Sequence, residues 1–422
     1  MGAQAANWAG NVVFGCRELR TPSSVGELQD IVRGSERVRA LGSSHSFNRI
    51  ADTSGVLVAT SGLPPVIETA PDRSAVRVAS GVRYGDLAQH LQAAGCALRN
   101  LGSLPHISVG GACATGTHGS GNANQSLAGS VTAVEMVTAN GELARLRRGS
   151  PGFAGAVVAL GGLGIVTAVE LETVPAFEVR QFVYEDVPAA AVAEHFEEIF
   201  ASGYSVSVFT GWRPGAGLRI WQKLRAGVPG AAGAGQPRWL GGRLADGPRH
   251  PVPGMPAANA TEQLGVPGPW HERLPHFRLA FTPSAGQELQ TEYLLPREDA
   301  GPAIGALARI SDRIAPILQV GEIRTIAADD LWMSMASGRD SVAFHFTWIQ
   351  DDAAVLPVVS AVEEALAPFG ARPHWGKVFA VPPDTIARLY PRWHDFQALL
   401  RAYDPDGKFR NDFMDRYFPA AS

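Results

Sequence analysis

Residues 102–121, GSLPHISVGGACATGTHGSG, constrain the fold of this chain more than any other stretch. They include six glycines, three serines and two threonines, and no Asp, Glu, Lys or Arg. A surface loop of this length would normally carry charged side chains. Small, uncharged, hydroxyl-bearing residues instead let a backbone wrap closely around a large cofactor with phosphate groups. The stretch has neither GxGxxG nor GxxxxGK[ST], so it indicates no Rossmann or P-loop site.

A second candidate ligand-binding segment is residues 40–46, ALGSSHS. Here a short apolar run, 38–41, leads into a Gly/Ser turn that holds one histidine, His45. Small residues allow a ligand to approach the backbone, and successive N–H groups in such a turn can bind phosphate. The alternative is a helix N-cap at Ser44 or Ser46.

Two predicted strands, 318–326 and 341–349, carry polar side chains in an alternating pattern. Alternate residues of a strand share a face, and Val342, Phe344 and Trp348 occupy one face of the second strand. The polar faces of the two strands could therefore line one cavity from the same sheet. Their polar side chains are Glu322 and Arg324 of the first strand and His345 and Thr347 of the second. The alternative is a solvated face, on which an exposed Glu–Arg pair contributes little.

Lysine is rare in this chain. Of 36 basic side chains only Lys223, Lys377 and Lys408 are lysines. Arg is a planar fork that is always charged, whereas Lys is a compact charge whose pKa can shift. Lys377 ends the segment 373–377, PHWGK, which is either a functional site or a structural turn.

Composition excludes several classes of function. The 422 residues have a formal net charge of -4, which argues against a nucleic-acid or anionic-membrane partner. No run of about 18 apolar residues is present to span a membrane. The three cysteines form no CxxC pair, which indicates either a reducing compartment or unreactive buried thiols, and we expect the cytoplasm. We predict no metal site, because Pro275 interrupts the only HExxH-like stretch. No GxSxG elbow occurs, which excludes an α/β-hydrolase.

The pattern of apolar residues predicts an α+β chain with a domain boundary near residue 176. Residues 227–254 are rich in Gly and Pro and are predicted to be an irregular surface segment. Predicted strands are 38–41, 76–79, 131–138, 142–146, 165–171, 204–209, 218–222, 288–295, 318–326 and 341–349. Predicted helices are 84–94, 189–202, 303–314 and 353–367.

Together, these motifs resemble a known family. Residues 40–46, 102–121 and GGLGI at 161–165 resemble the FAD-binding domain of flavoproteins of the vanillyl-alcohol-oxidase type. Further stretches resemble the bacterial alditol oxidases, which act on xylitol and sorbitol; the aldonolactone oxidases share the HWGK-like motif. These stretches are VPGMP at 252–256, GVPGPWHERLPHF at 265–277, EIR at 322–324, HFT at 345–347 and HWGK at 374–377. The resemblance covers essentially the whole chain.

The resemblance implies a two-domain α+β fold. An FAD-binding domain would span residues 1–176, and a cap domain with an antiparallel sheet flanked by helices would span 177–376. Residues 377–422 would return to the FAD-binding domain. FAD would be attached covalently through His45, although Ser44 stands where the family pattern suggests Gly. The implied cofactor-binding residues are Ala40, Leu41, Gly42, Ser43, Ser44, His45, Ser46, Ser103, Ser108, Gly111, Thr115, Gly116, Thr117, His118, Ile165, Val166 and His374.

The resemblance also implies an activity, the oxidation of a terminal primary alcohol of an alditol to the aldose, with O2 reduced to hydrogen peroxide. His345 would be the base, and Arg324 and Lys377 would stabilise the developing oxyanion. Substrate would be bound by Ser103, Glu322, Arg324, Thr347 and Lys377. Two alternatives are a sugar-lactone oxidase or dehydrogenase on the same fold and a non-catalytic sugar- or flavin-binding protein. The expected partners are a small polyol and O2, with no nucleic acid and no membrane, for a cytoplasmic monomer.

Overall fold

The computed structural model describes residues 5–228, 231–281 and 287–419. The strands up to residue 175 are β1 Glu18–Arg20, β2 Val38–Leu41, β3 Val56–Ala59, β4 Ile67–Thr69, β5 Ala75–Ala79, β6 Cys96–Ala97, β7 Val131–Val137, β8 Leu143–Arg147, β9 Ile165–Glu172 and β10 Val174–Pro175. The later strands are β11 Glu178–Val187, β12 Ser205–Thr210, β13 Leu218–Arg225, β14 Arg238–Trp239, β15 Gly242–Leu244, β16 Gly268–Pro269, β17 Glu288–Pro296, β18 Leu318–Ile326, β19 Ser341–Ile349 and β20 Arg372–Pro373.

The α-helices lie between and after these strands. They are α1 Val25–Gly34, α2 Tyr84–Ala93, α3 Val109–Ala114, α4 Phe153–Ala156, α5 Ala189–Glu194, α6 Phe196–Ala201, α7 Ala300–Ala308, α8 Ser311–Ile314, α9 Asp352–Leu366, α10 Pro383–Leu389, α11 Trp393–Tyr403 and α12 Asp412–Tyr417. Among the described residues, no helix is long and apolar enough to cross a membrane.

The N-terminal part of the chain contains three small sheets. A parallel sheet has the order β1–β3–β2, an antiparallel sheet has the order β4–β5–β9–β7–β8, and β6 pairs with β10. Helix α3 packs against β5 and β9. Part of the Gly-rich stretch 102–121 is therefore helical, which its composition did not predict. The helix packs closely on the sheet because four of its six residues are small apolar residues that are buried there.

The second part is built on one large antiparallel sheet. Its order is β14–β15–β11–β13–β12–β18–β19–β17–β20, and β16 pairs with β11. Val342, Phe344 and Trp348 of β19 lie in an apolar core with the buried residues of α6, α7 and α9. His345 and Thr347 lie on the opposite face and line a cavity. The predicted alternation of β19, and the bounds predicted for β18 and β19, are confirmed.

The C-terminal helices pack against the N-terminal part, where α11 contacts α4. Arg39 donates to the Phe409 carbonyl over 2.8 Å, and Lys408 Nζ donates to the Val32 carbonyl over 2.7 Å. These bonds join the end of the chain to the parallel sheet and to α1.

Three predicted elements need correction. The predicted helix 189–202 is divided into α5 and α6, because His195 leaves the helical region at φ -106° and ψ 26°. The predicted helix 303–314 begins earlier and is divided into α7 and α8 at Ile310, with φ -113°. Residues 227–254 contain two short strands, β14 and β15, and the buried Trp239 packs against Tyr184 of β11. Residues 229–230 of that segment lie outside the described residues.

Candidate active site

One large cavity lies between the N-terminal part and the polar face of the ten-stranded sheet. It brings together most of the residues that the sequence singled out. The predicted residues that line it are Ala40, Leu41, Gly42, Ser43, Ser44, His45, Ser46, Ser103, Ser108, Gly111, Thr115, Thr117, His118, Val166, Glu322, Arg324, His345, Thr347, His374 and Lys377.

Gly116 and Ile165 do not line the cavity. Ile165 is fully buried in the apolar cluster that contains Leu28 and Val32. Gly116 adopts a φ of +69°, and a Cβ on it would point at Met335, 3.2 Å from that side chain's terminal carbon. Ile165 faces a core on the other side of its strand, and Gly116 is a turn residue.

The two Gly/Ser-rich segments are joined side by side. The Ser108 amide donates to Ser43 Oγ over 3.0 Å, and the Ser43 amide donates to Ser108 Oγ over 3.2 Å. A Cβ on Gly42 would lie 2.3 Å from Ser108 Oγ, so only glycine allows this approach. The turn after β2 and the start of α3 therefore form one continuous wall, lined by hydroxyls and backbone.

His45 projects from this wall. Its ring stacks on Trp8, with 5.2 Å between centroids and 18° between planes. Its Nδ1 is buried and has no hydrogen-bond partner. Burial lowers the pKa of His45 to about 4, so the ring is neutral at physiological pH. A neutral imidazole nitrogen with an unused buried lone pair or proton is costly to keep unless a ligand engages it.

The segment that ends in Lys377 is fastened to the same wall. The Phe47 amide donates to the Gly376 carbonyl, and Asn48 Nδ2 donates to the Lys377 carbonyl, each over 2.7 Å. Trp375 is fully buried and donates to the Met333 carbonyl over 2.7 Å. These anchors direct the ammonium group of Lys377 into the cavity, where it is 2.7 Å from Glu292 Oε2 and 2.7 Å from His345 Nδ1.

Three polar residues form a row across the sheet. In the register of β17, β19 and β18, Glu292 lies opposite His345, and His345 lies opposite Glu322. Glu292 was not among the site residues predicted from the sequence. The signal was present in the predicted strand 288–295, where Glu288, Gln290 and Glu292 alternate with mainly apolar residues and all three line the cavity.

Glu292 is a counter-ion shared by Arg324 and Lys377. Its side chain is 1% exposed and forms ion pairs with Arg324 and Lys377. Burial alone would raise the pKa of Glu292, but Lys377 and Arg324 outweigh it and hold the pKa well below its usual range. The carboxylate is therefore ionised, and together with Glu322 it balances the charges of Arg324 and Lys377.

His345 is a neutral imidazole in this network. Burial, with the Lys377 ammonium beside it, holds the pKa of His345 well below 6.5. Because the ammonium donates to Nδ1, the ring proton is on Nε2, which lies 3.0 Å from Thr347 Oγ1. The only lone pair of the ring is then on Nδ1, next to a fixed positive charge.

Glu322 is held on the other side by His276, which lies in the stretch 265–277 but was not predicted to be a site residue. His276 Nε2 lies 2.8 Å from Glu322 Oε1, and Arg324 Nε lies 3.6 Å from Oε2. Burial alone would raise the pKa of Glu322, but Arg324 and His276 outweigh it and lower the pKa strongly. Arg324 also donates to Ser103 Oγ over 3.3 Å.

Comparisons with known families agree with the two parts of the cavity. A family profile described as "FAD binding domain" matches residues 18–147. A second, described as "D-arabinono-1,4-lactone oxidase", matches residues 284–417. The first covers the wall of Gly/Ser segments, and the second covers β18, β19 and the segment that ends in Lys377.

Individual relatives align over nearly the whole chain. An alditol oxidase of Streptomyces sp. is 49% identical over 417 residues, which are 98% of this chain and 99% of the relative. An L-gulono-1,4-lactone dehydrogenase of Mycobacterium tuberculosis is 30% identical over 435 residues, 97% of this chain and 98% of the relative. The crystal structure of cholesterol oxidase from B. sterolicum superposes with a TM-score of 0.79 at 17% identity, over 99% of this chain and 96% of that one. The predicted two-domain α+β fold is confirmed.

Proposed function

Because this chain belongs to the family of FAD-dependent alditol oxidases and sugar-lactone oxidoreductases, we propose that it oxidises the terminal primary alcohol of alditols such as xylitol and sorbitol to the aldose. O2 is the electron acceptor and hydrogen peroxide the second product. The observation that carries this proposal is the buried, charge-balanced group of Glu292, Glu322, Arg324, Lys377 and neutral His345 on one side of the cavity.

The opposite wall fits the cofactor FAD. The close approach of Gly42 to Ser108 leaves backbone and hydroxyls facing the cavity, as phosphate groups require. The unpartnered Nδ1 of buried His45 suits a ring nitrogen that is engaged by the cofactor. We infer that His45 is the point of covalent attachment and that His374 contacts the cofactor.

FAD, when bound, accepts a hydride from the carbinol carbon and passes two electrons to O2. The chain supplies the rest. A substrate hydroxyl is a poor acid, so the reaction needs a proton acceptor and fixed positive charge at the oxygen. Nδ1 of His345 accepts the proton once the Lys377 ammonium, which donates to it in this structure, turns to the substrate oxygen. The Lys377 ammonium and the Arg324 guanidinium stabilise the negative charge that develops on the substrate oxygen.

The remaining hydroxyls of the polyol need polar partners. Glu322 accepts, Ser103 and Thr347 donate or accept, and all three line the cavity. A site built to hydrogen-bond hydroxyls rejects analogues that lack them, because its own buried groups are then left unpaired. We infer from this that selectivity for a polyhydroxylated chain lies in these side chains.

A second candidate function is oxidation of a sugar lactone. It is favoured by the match of residues 284–417 to the lactone-oxidase profile. The test is hydrogen peroxide production with xylitol, sorbitol and L-gulono-1,4-lactone at equal concentrations. We expect peroxide with the alditols and little with the lactone. Peroxide from the lactone alone would replace the first function by the second.

We further propose domain boundaries at residues 176 and 376, with residues 377–422 belonging structurally to the FAD-binding domain. The hydrogen bonds of Lys408 and Phe409 to the N-terminal part support this return.

We also propose that the protein is a monomer in the cytoplasm. The three free cysteines support the cytoplasmic location, because thiols stay reduced there. Gel filtration should give the mass of one 44.6 kDa chain.

A further inference from the structure

Lys223 is a buried lysine that does not line the cavity. It lies on β13, and 1% of the residue is exposed. Its ammonium group contacts three acceptors: the Leu274 carbonyl at 2.5 Å, the Pro275 carbonyl at 3.4 Å and His276 Nδ1 at 3.2 Å. An ammonium group has three protons, so every donor has a partner. Burial lowers the pKa of Lys223 to about 7, and a lysine buried in this arrangement is rare enough to require a reason.

His276 connects this lysine with the cavity. Its ring is held edge-on between Phe209 and Trp221, at centroid distances of 5.2 Å and 5.3 Å. On the far side from Lys223, Nε2 lies 2.8 Å from Glu322 Oε1. The ring is buried, and the aromatic neighbours fix its plane, so it can bridge only these two groups.

The two contacts determine where the ring proton lies. The ionised Glu322 carboxylate can only accept, so His276 Nε2 must carry the ring proton, and in the neutral ring Nδ1 then accepts from Lys223. Nε2–H donates to Glu322 Oε1. That oxygen is thereby occupied, and Oε2 remains on the side of Arg324 and the cavity.

We propose that Lys223 and His276 are positioning residues that fix Glu322 as an ionised carboxylate with one oxygen directed at a substrate hydroxyl. The proposal rests on the alditol oxidase function and deepens it, because it assigns polyol recognition to a buried Lys–His–Glu chain. Burial lowers the pKa of His276 to about 4, with the Lys223 charge as the next cause, so the bridging ring is neutral at working pH.

A pair of substitutions at His276 separates positioning from packing. His276→Gln keeps an acceptor for Lys223 and a donor for Glu322, whereas His276→Phe keeps the aromatic packing and loses both. Loss of a hydrogen bond to a charged group corresponds to about a tenfold rise or more in KM for xylitol. We expect that rise for His276→Phe, a KM within about threefold of wild type for His276→Gln, and little change in kcat for either, because a hydroxyl contact present in ground and transition states acts on KM.

The histidine protonation state gives a readout that does not depend on turnover. In protein with 15N-labelled histidine, the His276 signals are assigned by their loss in His276→Gln. We expect them to show protonated Nε2 and unprotonated Nδ1 between about pH 6 and 8. In Lys223→Met the opposing charge is gone, so the pKa of His276 should rise and its signals should titrate at higher pH than in wild type. Lys408→Met, at the C-terminal contact with Val32, is the matched control and should leave them unchanged.

The outcomes are separable from those of the proposed function. If wild type forms no peroxide from any alditol, the proposed function fails whatever the variants do. If wild type oxidises xylitol but His276→Phe matches His276→Gln in KM, or Lys223→Met leaves the His276 titration unchanged, the positioning role is overturned.

Discussion

The carboxylate of Glu292 and the ammonium group of Lys377 form a buried ion pair, with 2.7 Å between Oε2 and Nζ. The two residues come from a strand of the large sheet and from the segment that closes on the Gly/Ser wall. The pair therefore joins the two parts of the protein at the candidate active site, and it contributes to the charge balance of the cavity.

Glu292→Gln keeps the shape of the side chain and removes its charge. Arg324 and Lys377 then lose their common counter-ion, and breaking a buried pair costs about 3–5 kcal/mol in the free energy of unfolding. We expect that loss in denaturant unfolding. We also expect kcat/KM to fall about a hundredfold, which corresponds to roughly 2.7 kcal/mol of lost transition-state stabilisation when the two cations move. Glu142→Gln, at an exposed turn, is the control and should behave as wild type.

The proposed covalent attachment through His45 predicts how the colour of the protein behaves in acid. In wild type the yellow flavin should stay with the acid-precipitated protein, because the bond survives unfolding. In His45→Ala it should pass into the supernatant, while the exposed His90→Ala retains it. The measurement is the flavin absorption of pellet and supernatant. A colourless wild-type pellet would show that the attachment is not covalent.

Ser44 adopts a φ of +59°, the left-handed region that favours glycine. Its carbonyl bond with the Trp8 amide is a backbone interaction that does not need the side chain. We therefore expect Ser44→Gly to raise the free energy of unfolding by about 1 kcal/mol. Ser46→Gly, whose backbone lies outside that region, should lower it instead. Equal destabilisation by both substitutions would contradict the strain.

The charge of Lys377 predicts a shift in the pH profile. Because burial and Lys377 hold the pKa of His345 well below 6.5, the acid limb of kcat/KM in wild type should lie below pH 6.5. Removing the charge in Lys377→Met raises the pKa of His345, so the limb moves to higher pH. Lys377→Arg keeps the charge and should keep the limb, but a planar fork does not replace a compact ammonium held by two acceptors, so turnover falls. An unshifted limb in Lys377→Met would remove His345 from the role of base.

Alternation along single strands was enough to predict part of the site. The predicted opposite faces of 341–349 are the core and the cavity of the structure, and Glu322 and Arg324 share a face with an ion-pair contact. These features depend only on the period of a strand, which is local information. The motif resemblance supplied the cofactor and the order of the two parts.

What the sequence did not reveal depends on contacts between distant residues. Glu292 became recognisable only when the register placed it opposite His345 and beside Lys377. Lys223 and His276 are 53 positions apart and meet through folding of the segment after β16 over β13. The division of two predicted helices at His195 and Ile310, where the backbone leaves the helical region, is likewise not predicted by apolar periodicity.

The most direct test of the central claim is anaerobic mixing of the purified protein with xylitol while the visible flavin absorption is followed, with L-gulono-1,4-lactone in a parallel reaction. The proposed function predicts rapid loss of the oxidised flavin absorption with xylitol, much slower loss with the lactone, and full recovery with peroxide when O2 is admitted. An oxidised spectrum that xylitol leaves unchanged and the lactone bleaches would contradict it.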